Sequence, residues 1–180
     1  MRTFIALDLP TEFADGSAAL ARMLGTSVEG RFLPRDTYHL TLAFLGDIED
    51  AEAARAMDAI DEACDKLRES EEPVLLAPDG LGKFGRPHDA TLWLGIAKLP
   101  PLETLAATLK EALRARALPF DDKPFLPHVT LARRARLPKG DLPSLAFPLP
   151  TKTETLTLYK STLDRDGATY KPLYQQTLDD

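Results

Sequence analysis

The chain has 180 residues, 15 of them prolines, and is 44% hydrophobic against 28% charged. That length suits one domain with its own core, the apolar share is too ordinary for disorder, and no apolar run approaches the roughly 20 residues of a membrane span. The 28 acidic against 22 basic side chains (net −6) argue against a protein that grips long duplexes through a basic surplus, so any nucleic acid is expected to be met locally, at an end or a short strand.

The opening MRTFIALDLP is too short and too soon acidic for a secretory signal, and the single cysteine, Cys64, cannot close an internal disulfide. Both fit a cytoplasmic protein, expected as one domain over 1–180, with no membrane contact, and as a monomer.

In chain order, TFIALDL (3–9) is rich in strand formers and reads as a strand. Thr11 is placed to N-cap a helix over about 12–25 that ends near Gly25. RFLP follows, then YHLTLAFLGD, a strong strand closed by Gly46-Asp47. Ala53, Ala56, Met57, Ile60, Ala63, Cys64 and Leu67 have the three-and-four spacing of an amphipathic helix over 50–69. PVLLAPDGLGKF (73–84) is predicted as an irregular strand pair or hairpin, and TLWLGIA (91–97) as a strand. Leu102, Leu105, Leu109, Ala112 and Leu113 mark a further amphipathic helix from Pro101 to Ala117, after which HVTLARR, TETLTLYKS and ATYKPLYQQTL read as strands. Helices inserted singly among strands point to an α+β fold with antiparallel sheet.

One internal repeat stands out. HLTLAF begins at residue 39 and HVTLAR at residue 128, with four of six letters identical and 89 residues between them, about half the chain. Two lobes, each contributing one such strand, are predicted, related by a pseudo-twofold axis around a central groove with helices outside. Residues two apart in a strand share a face, so His39 and Thr41, with Ala43 next, and His128 and Thr130, with Ala132 next, are expected to line that groove. Packing conserves leucine and threonine through a duplication, but has no need of histidine twice. Two imidazoles can divide the work of phosphodiester cleavage, one neutral and accepting a proton, the other charged and donating one. Threonine hydroxyls can bond the non-bridging phosphate oxygens. That scheme calls for no metal and no cofactor.

Other candidates have plainer uses. His88, in GRPHDA, reads as a solvated loop residue. The Gly80–Gly82 segment lacks the spacing of a phosphate-binding loop. Three histidines and one cysteine without ligand spacing do not make a zinc site, and no G-x-S-x-G elbow marks a serine hydrolase. Arg133, Arg134, Arg136 and Lys139 form a basic run beside the second motif, suited to guiding an anionic substrate. Strand parity, however, turns Arg133 away from His128 unless a bulge intervenes, and puts Tyr38 and Phe44 on the core side with Leu40 and Leu42.

The paired HxTL motifs, MRTFIALDLP, LAFLGD, GLGKFGRP, TLWLGI, PFLPHVTLAR and LYKSTLDRDGATYKPL together resemble the RNA 2',3'-cyclic phosphodiesterases, the 2'-5' RNA ligase-like branch of the two-histidine phosphoesterases. The likeness runs from about residue 1 to 175. It implies a bilobal α+β fold and metal-independent opening of RNA 2',3'-cyclic phosphate ends, tRNA halves among them, to a 2'-phosphate. A 2'-5' ligase side activity is also implied, with a 5'-hydroxyl replacing water. It carries over His39 as the acid toward the departing 3'-oxygen, His128 as the base toward water, and Thr41 and Thr130 as phosphate contacts. It also favours substrate roles for Arg133 and for Phe44, where the family commonly has an aromatic. The alternatives are the same groove acting on 2'-5' oligonucleotides or cyclic nucleotide phosphates, and a non-catalytic binder of RNA ends or nucleotides.

Overall fold

A computed structural model describes residues 1–179. In chain order its elements are β1 (Arg2–Asp8), α1 (Thr11–Leu24), β2 (Glu29–Phe32), a 3-10 turn (Arg35–Thr37), β3 (His39–Asp47), α2 (Asp50–Ser70), β4 (Leu75–Leu76), β5 (Pro78–Arg86), β6 (Asp89–Ile96), α3 (Pro100–Ala115), β7 (His128–Arg136), β8 (Thr151–Lys152), β9 (Thr155–Asp164) and β10 (Gly167–Thr177). The α+β expectation holds, with every strand pairing antiparallel.

Two four-stranded sheets carry the architecture, in orders β10-β9-β1-β3 and β2-β7-β6-β5. The strands bearing the repeated hexapeptide, β3 and β7, pack against each other where the sheets meet. One face of each sheet is apolar: Ile5, Leu7, Leu40 and Leu42 in the first, Leu92, Leu94, Val129 and Leu131 in the second, all buried. The helices cover these faces. α2 packs on α3, β9 and β10, and α3 also on β3, through the apolar stripes that the sequence periodicity marks. A single hydrophobic cluster runs through both sheets and all three helices. Each leucine buried as Leu40 is contributes about 1.5–3 kcal/mol.

Local chemistry explains where several boundaries fall. Thr11 is the first helical residue of α1, not its cap; Pro10 precedes it, and the Pro10 carbonyl accepts the first helical bond from Ala14 at 2.9 Å. Proline's restricted φ suits that entry, so the turn starts without a capping hydroxyl. At α2 the Glu52 side chain accepts from the Glu49 N–H at 3.1 Å, tying down the helix start.

Residues 73–84 do not form a hairpin with themselves. Leu75 and Leu76 pair with Lys152 and Thr151, while β5 pairs with β6 through a tight turn at Pro87-His88. Pro87 and His88 supply the reversal that Ala77-Pro78 cannot, because a single residue separates β4 from β5.

Candidate functional site

Both repeat strands are bulged at the same step. On β3, Ile5 faces Ala43 and the next residue, Ala6, faces Thr41, leaving Leu42 extra. On β7, Leu92 faces Ala132 and Trp93 faces Thr130, leaving Leu131 extra. Two residues therefore turn inward in succession in each copy, Leu42-Ala43 and Leu131-Ala132, all of them buried. An extra residue reverses the side-chain phase beyond it. Ala43 and Ala132 thus belong to the core, which corrects the expectation that they line the groove. Phe44 and Arg133 are swung onto the face of the histidines, which corrects the parity reading of both. Tyr38, before the bulge, stays buried.

The result is a groove of about 210 Å³ lined by all six sequence-derived candidates, His39, Thr41, Phe44, His128, Thr130 and Arg133. Arg2, Phe4, Leu33, Thr37, Ser161 and Tyr170 complete it and were not anticipated. Arg2 opens β1 and extends its guanidinium over the Phe44 ring, 5.1 Å from the centroid. The groove has no lining carboxylate, although acidic residues outnumber basic ones in the chain. Two arginines, two imidazoles and hydroxyls make it a receptor for an anion.

The two histidines are held alike. His39 Nδ1 lies 2.8 Å from the carbonyl oxygen of Thr37, and His128 Nδ1 lies 2.6 Å from that of Leu126. A carbonyl only accepts, so Nδ1 carries hydrogen in each ring and donates it, leaving Nε2 as the atom that gains and loses a proton. Each clamp comes from two residues upstream, where the chain enters the strand. Aromatic rings then wall the imidazoles. Phe4 lies 4.7 Å from His39 and Tyr170 meets it edge-on at 5.1 Å, while Phe84 and Trp93 stand 5.2 and 5.5 Å from His128.

Burial pushes the His39 pKa below the ordinary imidazole value. The hydrogen bond to Thr37 and the negative charge of Asp8 oppose that shift, and the charges of His128 and Arg133 add to it. Asp8 is the cross-strand partner of His39. Its carboxylate accepts hydrogen bonds from Thr157, at 2.7 Å, and from Tyr159, whose own hydroxyl pKa is driven far up by burial and by that carboxylate. Nothing in the sequence pattern marks Asp8, because the register joining it to His39 is a long-range property.

Away from the groove, His88 is exposed in the β5–β6 turn, and Cys64 is buried in α2. The described residues contain no cluster of three or more His, Cys, Asp or Glu able to hold a metal ion, and no helix long and apolar enough to cross a membrane.

A bilobal antiparallel fold presenting an imidazole and a hydroxyl from each lobe to one cationic groove has relatives among known proteins. Residues 11–165 match the family model of the 2'-5' RNA ligase superfamily, and the chain belongs to that superfamily. It is 30% identical over 178 residues to the RNA 2',3'-cyclic phosphodiesterase of Escherichia coli (strain K12), an alignment covering 98% of this chain and 96% of that protein. The RNA 2',3'-cyclic phosphodiesterase of Geobacillus stearothermophilus is 28% identical over 174 residues; there the match takes in 96% of this chain and 54% of the relative, so the chain spans about half its length. Among solved structures, E. coli LigT complexed with 3'-AMP superposes with a TM-score of 0.75 at 28% identity, covering 98% of this chain and 97% of that one.

Proposed function

We propose that the protein hydrolyses the 2',3'-cyclic phosphate at the 3' end of RNA to a 2'-phosphate, with His39 and His128 as the proton-transfer pair and without a metal. The reading is carried by one observation: two imidazoles, each locked through Nδ1 to an upstream carbonyl, share a groove that holds cations and no carboxylate. The names of the relatives in E. coli and G. stearothermophilus support the same reaction class.

In the proposed step, neutral His128 accepts a proton from water at Nε2 while the water oxygen attacks phosphorus. The bond from phosphorus to the 3'-oxygen breaks, and His39, protonated at Nε2, gives its proton to that oxygen. Water is consumed, and a 2'-phosphomonoester and a 3'-hydroxyl remain. Thr41 and Thr130 donate to the non-bridging oxygens, and Arg133 offsets the charge that grows in the pentavalent transition state, the point at which fixed donors contribute most. Desolvation lowers the His39 pKa, making its imidazolium a strong proton donor, and an anionic phosphodiester at Nε2 favours loading of that proton. A 5'-hydroxyl in place of water would form a 2'-5' linkage by the same route.

The test is incubation in EDTA with a short RNA ending in a 2',3'-cyclic phosphate. A 2'-phosphate product is expected from the wild type, and a loss of at least about 10²-fold in turnover from His39→Ala and from His128→Ala, each still folded. Strong turnover by either variant, or a 3'-phosphate product, would overturn the assignment.

A further inference from the structure

The basic residues of this acidic chain are distributed unevenly. Arg35, Lys66, Arg68, Arg114, Arg116, Lys123 and Lys152 are each ion-paired, most of them on or beside the helices. Arg133, Arg134, Arg136 and Lys139 have no ion pair among the described residues, and the segment 124–140 that holds them contains no carboxylate. Of the fifteen lysines and arginines with no ion pair among the described residues, four thus fall within seven positions on one strand and its exit.

That strand joins two cavities. Arg133 lines the groove, and Arg136 lines a second cavity of about 610 Å³ together with Lys139, His88, Glu29, Pro87 and Leu137. A second irregularity of β7, in which Arg134 takes a left-handed backbone (φ 48°), leaves Ala135 buried and Arg136 exposed. Arg136 therefore returns to the face of Arg133. The flanking strand keeps the same order, Arg31 opposite Arg133 and Glu29 opposite Arg136. Arg133 and Arg136 are three positions apart on the strand, so their Cα atoms lie at most about 10 Å apart.

Phosphates spaced along a chain would meet Arg133 and then Arg136 and Lys139, while Pro87 and Leu137 offer apolar surface to a sugar or base. Glu29, the one carboxylate there, can accept from a ribose hydroxyl or base amino group. We infer that this cavity is a second subsite, holding a nucleotide on the 5' side of the reacting end, so that the substrate is a single-stranded oligoribonucleotide in preference to a mononucleotide cyclic phosphate. The inference rests on the hydrolase reading above and extends it along the strand.

The experiment compares adenosine 2',3'-cyclic phosphate with oligoadenylates of increasing length bearing the same end, for the full chain and for R136Q/K139Q. For the wild type, kcat/KM is expected to rise with length over the first few nucleotides. The double variant is expected to lose that rise, roughly tenfold on the longer substrates, with a log–log salt slope smaller by about 1–2, and to turn over the mononucleotide as the wild type does. Length-independent kcat/KM in the wild type, or an equal loss on mononucleotide and oligomer in the variant, would overturn the subsite. Should no cyclic phosphate be turned over, the hydrolase reading fails. The subsite is then read from the anisotropy of labelled 3'-phosphorylated oligoadenylates: affinity that grows with length and collapses in R136Q/K139Q supports it, and length-independent affinity overturns it.

Discussion

Phe44 and Arg133 occupy one structural position in two copies of the same strand, each the first residue turned back to the groove after a bulge. The symmetry of the backbone therefore ends in an asymmetry of chemistry: one lip of the groove presents an aromatic ring, the other a guanidinium. The ring is itself covered by a cation, Arg2.

This asymmetry predicts two different kinetic signatures. Arg133→Gln removes a charge aimed at an anion and is expected to lower kcat/KM on a cyclic phosphate by about 10–100-fold, since hydrogen bonds to charged groups are worth about 1.5–3 kcal/mol. Phe44→Ala is expected to act mainly through Arg2. A double-mutant cycle on Arg2 and Phe44, read by urea unfolding, should give a coupling of about 0.5–1 kcal/mol. An Arg133→Gln enzyme with wild-type kcat/KM would show that the guanidinium does not reach the phosphate.

The depressed His39 pKa makes stability depend on pH in a definite direction. Below the ordinary imidazole pKa, about 6.5, the unfolded chain takes up the proton more readily than the folded one, so stability rises with pH through that window. The contribution is full above the unfolded value and is lost as pH falls through the folded one. His39→Gln should flatten this part of the curve, measured as the difference between urea unfolding free energies at mildly acid and mildly alkaline pH. An unchanged slope would mean that the ring is solvated.

Trp93 is the chain's one tryptophan, so its fluorescence reports on the wall beside His128. Its indole lies over Gly82, where an added Cβ would stand 2.1 Å from a ring carbon. Gly82→Ala must displace the ring. It is expected to shift Trp93 emission, to cost about 1–3 kcal/mol as an overpacking change, and to reduce turnover through His128. Emission and activity identical to the wild type would show that the ring relocates freely.

Cys64 is fully buried in α2, and its thiol pKa is pushed up to about 12 by desolvation. It should stay unreacted with a thiol-specific reagent in the native protein and react on unfolding, which makes labelling a count of opened molecules. Rapid stoichiometric labelling of the folded chain would refute this.

The repeat, its period-two faces and the helix rhythms were legible because each is a local pattern repeated within a few residues. The histidine pair could be read as a pair because duplication preserved a residue that packing does not demand. The bulges could not. Leu42 and Leu131 are ordinary strand residues, and only pairing with β1 and β6 leaves them unopposed. Residues supplied by distant strands were likewise invisible: Arg2 and Tyr170 to the groove, Asp8 to the flank of His39, Trp93 to that of His128. Thr11 has a capping side chain, but Pro10 already provides the helix entry.

The paired Nδ1 clamps have a consequence for repeated turnover. One proposed cycle leaves each imidazole in the state its partner began in, so the catalyst that releases product is inverted relative to the one that bound substrate. The carbonyls of Thr37 and Leu126 occupy the other nitrogen of each ring, and the rings cannot be restored from behind. Protons can return only through the face that product covers. For the proposed reaction the expected order is therefore departure of product first, then re-equilibration with solvent, then the next substrate.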